Sequence, residues 1–249
     1  YRINSRFRVA GQAIYLEGGN RYPSGLRVDY LFLEWQLLNN PDWQIKTQIG
    51  RNKNYHWLYS STRDVPHTRP SIVLPQSLYF DAFRDVALGV DGLVLIAQTD
   101  NSLGEWDVNL SFGSSSISDE QKRNLFATNA PGKLQHDSDT QFSVYWRPRL
   151  SNFQFGFSLL EADFSYEQGE NDTFFSGDEF SQRFMVNLLY QGRNWEIASE
   201  IMRERVIFED LLYPGFYNDD TAEGGYFQAR YVLSNKVTLL GRLDIYDRD

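Results

Sequence analysis

The 249 residues carry 24 Lys and Arg against 33 Asp and Glu, a formal net charge of −9, and no cysteine. The acidic balance speaks against nucleic acid as a partner, because phosphate binding needs a basic surface, and the lack of thiols removes disulfide frameworks and thiolate metal sites. Mean hydropathy is −0.49 and no run approaches the roughly 18 apolar residues of a membrane helix, but a barrel strand is only half apolar and passes under that criterion.

The opening residues Tyr1–Asn4 show no charged n-region followed by an apolar stretch, so a mature or truncated chain is expected. Eleven strands are predicted, over 4–17, 26–38, 43–53, 84–98, 105–113, 140–147, 153–166, 179–191, 195–206, 225–233 and 237–247, with almost no helical periodicity. The clearest is 105–113, where Trp106, Val108, Leu110 and Phe112 alternate with Glu105, Asp107, Asn109 and Ser111. In 26–38 and 84–98 the alternation is less clean, since Tyr30, Phe32, Leu93 and Leu95 are expected to point inward. In 153–166 the apolar set changes face, which predicts a bulge near Leu159–Leu160.

Short and longer connections alternate: short after 38, 98, 147, 191 and 233, long over 54–83, 114–139 and 207–224, and of medium length over 167–178. An up-and-down meander with tight turns on one rim and long loops on the other gives this rhythm. The fold class is therefore all-β, a transmembrane antiparallel up-and-down barrel in one domain, 1–249. Trp35, Trp43, Trp106, Trp146 and Trp195 lie near the short turns and are expected to form a belt at the membrane interface. The apolar strand faces then meet lipid and the polar faces meet water.

The stretches LEWQLLNNPDWQIKTQIGRNKN (33–54) and RDVPHTRPSIVLPQSLYFD (63–81) run strand, turn, strand, Gly50-Arg51, and then a loop with Thr-Arg-Pro-Ser. In this the chain resembles the outer-membrane porins of Gram-negative bacteria. The resemblance implies an outer-membrane location, a water-filled barrel, passive diffusion of small hydrophilic solutes or ions, and a homotrimer. The chain ends YDRD without the terminal aromatic residue of that family, and eleven is an odd strand count. The expectation is a stretch of a barrel of about 16 strands.

Loop 54–83 is expected to fold inward as a constriction, burying Ile72, Leu74, Leu78 and Phe80 and carrying Arg63, His67 and Arg69 into the pore. The pore wall is expected to present Lys46, Glu105, Asp107, Arg183, Glu200, Arg230, Arg242 and Asp244, a near balance of signs. The competing reading of the loop is a cover over the mouth or a subunit contact. Loops 167–178 and 207–224 hold many carboxylates and no Lys or Arg, so divalent cations are expected to bridge them to lipopolysaccharide, beside the outer-membrane lipids that the wall contacts.

His56, His67 and His136 fall in predicted loops without the spacing of a metal site, and neither Gly-x-Ser-x-Gly nor a phosphate loop occurs. With no catalytic constellation, the expectation is a chain that is not an enzyme and holds no metal or cofactor. Two alternatives stand beside the porin: a soluble β-rich carbohydrate-binding domain, and an outer-membrane barrel enzyme.

Overall fold

The computed structural model describes residues 1–16, 25–60, 69–79, 89–126 and 130–248. The elements are β1 (Phe7–Leu16), β2 (Gly25–Asn39), β3 (Trp43–Lys53), β4 (Gly89–Asn101), β5 (Gly104–Ser114), a short helix α1 (Asp119–Phe126), β6 (Lys133–Pro148), β7 (Phe153–Glu167), β8 (Gly177–Gln191), β9 (Trp195–Glu209), β10 (Tyr217–Ser234) and β11 (Val237–Arg248). They form one sheet in the order β1 to β11, each strand antiparallel to the next. The expected all-β, up-and-down architecture is what the chain adopts. Turns and long loops alternate from rim to rim, as the connection lengths require.

The sheet is inside-out relative to a soluble sandwich. On β5, Leu110 and Phe112 are exposed, while Ser111 is buried. Leu110 lies opposite Phe142 on β6, whose neighbours Gln141 and Ser143 are buried. The pattern repeats around the sheet: Phe184, Ile201, Phe227 and Leu243 lie outside, and Asn187, Glu200 and Gln228 are buried inside. A protein in water puts its apolar faces together; here they form the outer wall.

Of three expectations about these strands, two are corrected and one holds. On β4 it is Val90, Val94 and Ile96 that point inward and are buried, while Leu93 and Leu95 pair with Phe112 and Leu110 on the outer face. Tyr30 and Phe32 do share the inner face of β2 with the buried Glu34. No bulge interrupts β7 at Leu159–Leu160. Its register against β8 is continuous, and the irregularity falls on β6 between His136 and Ser138. The apolar residues change face in β7 because Leu160, Ala162 and Phe164 line an apolar part of the interior.

The strands also run further than alternation shows. β6 starts at Lys133, β9 reaches Glu209 and β10 starts at Tyr217, so most of 207–224 is strand. Beyond the apolar belt both faces meet polar surroundings and the period-2 signal fades. Cross-strand ion pairs take its place: Arg205–Asp219, Arg203–Glu223 and Arg248–Asp220. At Gly50 the backbone has φ +129°, and a Cβ there would stand 2.4 Å from Leu31 O, so only glycine lets β3 lie this close to β2.

Candidate functional site

The described parts of the connection after β3 do not all run over the rim. Residues 54–60 cross the interior, and 74–79 lie beside them against β10 and β11. Tyr145 on β6 donates its hydroxyl to Tyr55 O at 2.8 Å, and Ser158 on β7 donates to His56 O at 2.6 Å. Glu200 on β9 accepts from Leu58 N at 2.9 Å, from the Tyr226 hydroxyl at 2.9 Å, and from the Tyr79 hydroxyl. Asp244 on β11 accepts from Gln76 N and Ser77 N, and Arg242 donates to Val73 O. One segment thus bonds to side chains of four strands, β6, β7, β9 and β11, which the sheet can supply only by curling around it.

The packing explains why this segment goes inside. Trp57, Tyr59, Leu74, Leu78 and Tyr79 form a cluster with Met185, Ala198, Met202 and Tyr226. Left in water, these side chains would each forgo about 1.5–3 kcal/mol of burial. Gly224 makes room, since a Cβ there would stand 2.7 Å from Ser77 O. Burial raises the Tyr79 hydroxyl above its usual range, and the Glu200 charge adds to this. His56 is pushed down to about 3, first by burial and then by the Arg183 guanidinium, so it stays neutral.

The segment separates two cavities. Toward the short turns a cavity of about 460 Å³ is polar and of mixed sign, with Arg8, Lys46, Asp107 and Arg147 among its walls. Toward the long loops a cavity of about 540 Å³ is mainly apolar, lined by Leu160, Phe164, Phe174 and Phe208 over a floor with His56, Asp139 and Arg183.

The expected site residues fall into three groups. Lys46 and Asp107 line the polar cavity; Asp107 pairs with Arg147, as does Glu105 at 3.0 Å, and Lys46 lies 3.8 Å from Glu34. Glu200, Arg242 and Asp244 do not present free charge to the interior: they anchor the segment, and Glu200 has no exposed surface. Arg183 is paired with Glu204 and lies over the Trp57 ring at 5.1 Å, and Arg230 is paired with Glu196.

Arg63, His67 and Phe80 lie outside the described residues. Arg69 donates to Ile72 O within its own loop, and Ile72 is 90% exposed rather than buried. Among the described residues, the innermost part of the segment is therefore the neutral Trp57–Leu58–Tyr59 stretch and not Arg69. Sequence reading missed Trp57, Tyr79, Tyr226 and His56. The one available signal was that Trp57 is the tryptophan far from any short turn.

On the outer face Trp106 stacks on Trp146 at 5.4 Å, Trp146 on Phe155 at 5.6 Å and Trp35 on Phe7 at 5.8 Å, and Trp195 contacts Tyr231 at 4.6 Å. Trp43, 41% exposed, lies at the start of β3 beside the turn after β2. Among the described residues no group of three or more His, Asp or Glu is placed to hold a metal ion, and no helix is long and apolar enough to cross a membrane, which says nothing of strands.

The chain is similar to outer-membrane proteins. Among solved structures it resembles OmpT of Vibrio cholerae: the in-vitro folded trimer form (TM-score 0.47, 10% identity, 100% of this chain and 78% of that one). It likewise resembles a loop L8 deletion mutant of OmpT (TM-score 0.44, 10% identity, 100% and 83%) and the outer-membrane expressed form (TM-score 0.40, 11% identity, 100% and 76%). No family model matches the chain, and no curated protein matches it.

The expectation that the chain is not an enzyme is withdrawn. The similar structures are described as outer-membrane proteins and lend it no support. The premise behind it, that no catalytic residue types cluster, is also wrong: Ser115 Oγ lies 2.9 Å from His136 Nδ1, and His136 Nε2 lies 4.0 Å from Asp139 Oδ2. Sequence distance hid this group, because β5 and β6 are joined through α1 and meet only in the sheet.

Proposed function

We propose that this chain is an outer-membrane β-barrel protein through whose water-filled interior small hydrophilic solutes or ions diffuse, with 54–60 and 74–79 narrowing the passage. One observation carries the reading: apolar side chains such as Leu110, Phe112 and Leu243 face outward while Ser111, Gln141 and Glu200 face inward. Such a wall is stable only where its outside meets hydrocarbon and its backbone groups are paired within the sheet. The stacked aromatic rings near the short turns then sit at one interface of the bilayer. The mixed-sign polar cavity suits hydrated solutes of either charge.

Contact of the outer wall with outer-membrane lipids and lipopolysaccharide belongs to the same reading, as does self-association into a homotrimer. Three of the rim carboxylates, Asp219, Asp220 and Glu223, have arginine partners, which leaves others, such as Asp178 and Glu209, for divalent cations. Added calcium should then raise the melting temperature in detergent.

The experiment for the central reading is single-channel recording in a planar bilayer. Stepwise conductance is expected, larger in Glu200→Ala, which frees the segment. Inserted protein that conducts nothing, in both forms, would overturn it.

A further inference from the structure

The cavity on the long-loop side differs from the passage it adjoins. A channel wall for hydrophilic solutes has no need of Leu160, Ala162, Phe164 and Phe208 pointing inward, yet these side chains line about 540 Å³. Near the mouth Phe174 is fixed in place: its N–H donates to Asp172 Oδ1 at 3.1 Å, and Asp172 Oδ2 accepts from Gly132 N at 3.0 Å and Gly169 N at 3.1 Å. Phe174 also packs on Phe126 of α1 at 4.7 Å. Two loops and a helix thus hold an aromatic wall over the cavity.

The charges inside do not cancel. Arg183 is engaged by Glu204, and Arg248 by Asp220 at 2.9 Å. That leaves Asp139 and Glu179. Asp139 is 1% exposed, and its Oδ2 accepts from Gln141 at 2.7 Å. Its Oδ1 has no partner among the described residues, and His136 Nε2 stands 4.0 Å from Oδ2. Glu179 lies between Phe164 and Phe208 across the strands, with no ion pair or hydrogen bond among the described residues. A buried carboxylate oxygen without a donor is costly. The group that satisfies it best is a cationic N–H, and the neighbouring phenylalanine faces attract a cation as well. An anion would meet two carboxylates, and a small hydrated ion would waste the apolar walls.

We infer that this cavity is a binding site for organic ammonium ions that carry an apolar, aromatic or alkyl body. The ammonium lies between the Asp139 and Glu179 carboxylates, both of which line the cavity, and the body lies along Phe164, Phe174 and Phe208. The inference concerns binding and holds whether or not solutes pass the segment.

The test is calorimetric titration of the whole protein in phosphatidylcholine nanodiscs, which keep detergent out of the cavity, with empty nanodiscs subtracted. The probes are 2-phenylethylammonium and its neutral isostere 2-phenylethanol, at physiological salt. Saturable binding of the cation is expected, about tenfold or more tighter than the alcohol, and about tenfold weaker in Asp139→Asn and in Glu179→Gln. Glu179 bonds to nothing else described, so Glu179→Gln keeps the test decisive if Asp139→Asn fails to assemble. Equal affinity for cation and alcohol, or cation binding unmoved by the variants that fold, would overturn the inference.

Discussion

Leu58 N–H donates to Glu200 Oε1 across 2.9 Å although 142 positions separate them. The same carboxyl also receives the Tyr79 and Tyr226 hydroxyls. One side chain on β9 therefore ties together both limbs of the inner segment and β10. Replacing it with alanine removes the acceptor that three buried donors share, at about 1–3 kcal/mol each. Glu200→Ala should release the segment and expose 54–60 and 74–79 to protease in the folded protein. Glu200→Gln, which keeps an accepting oxygen, should lie between the two. Equal protease resistance in all three forms would contradict this anchoring role.

Gly224 is the second support. A Cβ at that position would stand 2.7 Å from Ser77 O, against backbone rather than a flexible side-chain end. Gly224→Val should push 74–79 off β10 and lower the melting temperature, while Gly241→Val, on the open neighbour strand with nothing near its Cβ, should change little. Proteolysis and thermal melts of the two variants side by side check it.

The neutral His56 sets a pH dependence. Its ordinary pKa of 6.5 falls to about 3 when the segment is docked, through burial and then Arg183. Between those values the released segment binds a proton that the docked one cannot. Docking is therefore at full strength above about pH 6.5 and weakens as pH falls, by about 1.4 kcal/mol per unit. Protease sensitivity of 54–60 and 74–79 should rise on acidification, and His56→Gln should flatten that rise. A wild-type profile flat from neutral pH to pH 4 would count against it.

Much of the wall could be read in the sequence. Alternation over 105–113 and 179–191 puts Phe112 and Phe184 outside, as found, because a half-buried strand must sort its residues by face. What could not be read was where the two faces stop differing. On β4 both faces are apolar, so the parity of Leu93 and Val94 was undetermined. At the rim both faces are polar, so β9 and β10 looked shorter than they are. The inner segment was visible as too apolar for a free loop, and Leu74 and Leu78 are buried as that argument requires. Its anchors were not visible, because Glu200 and Asp244 look like any inward carboxylates until the chain is folded over them.

The outward face makes its own demand on mutation. Leu110 lies on the outer wall opposite Phe142, and Asn109 lines the polar cavity. Leu110→Arg should cost about 2–4 kcal/mol in a bilayer, and Asn109→Arg should be tolerated. Urea titration in lipid vesicles measures both. Similar costs at the two positions would contradict the assigned faces.

The most direct measurement is a cysteine scan of β5, which the absence of native cysteine makes clean. Single cysteines at 107 to 110 and at 112 would be treated, in lipid vesicles, with a charged, membrane-impermeant thiol reagent. Labelling at Asp107→Cys and Asn109→Cys with none at Val108→Cys, Leu110→Cys or Phe112→Cys is the result predicted for a wall with water inside and lipid outside. Uniform labelling, or the opposite alternation, would contradict it.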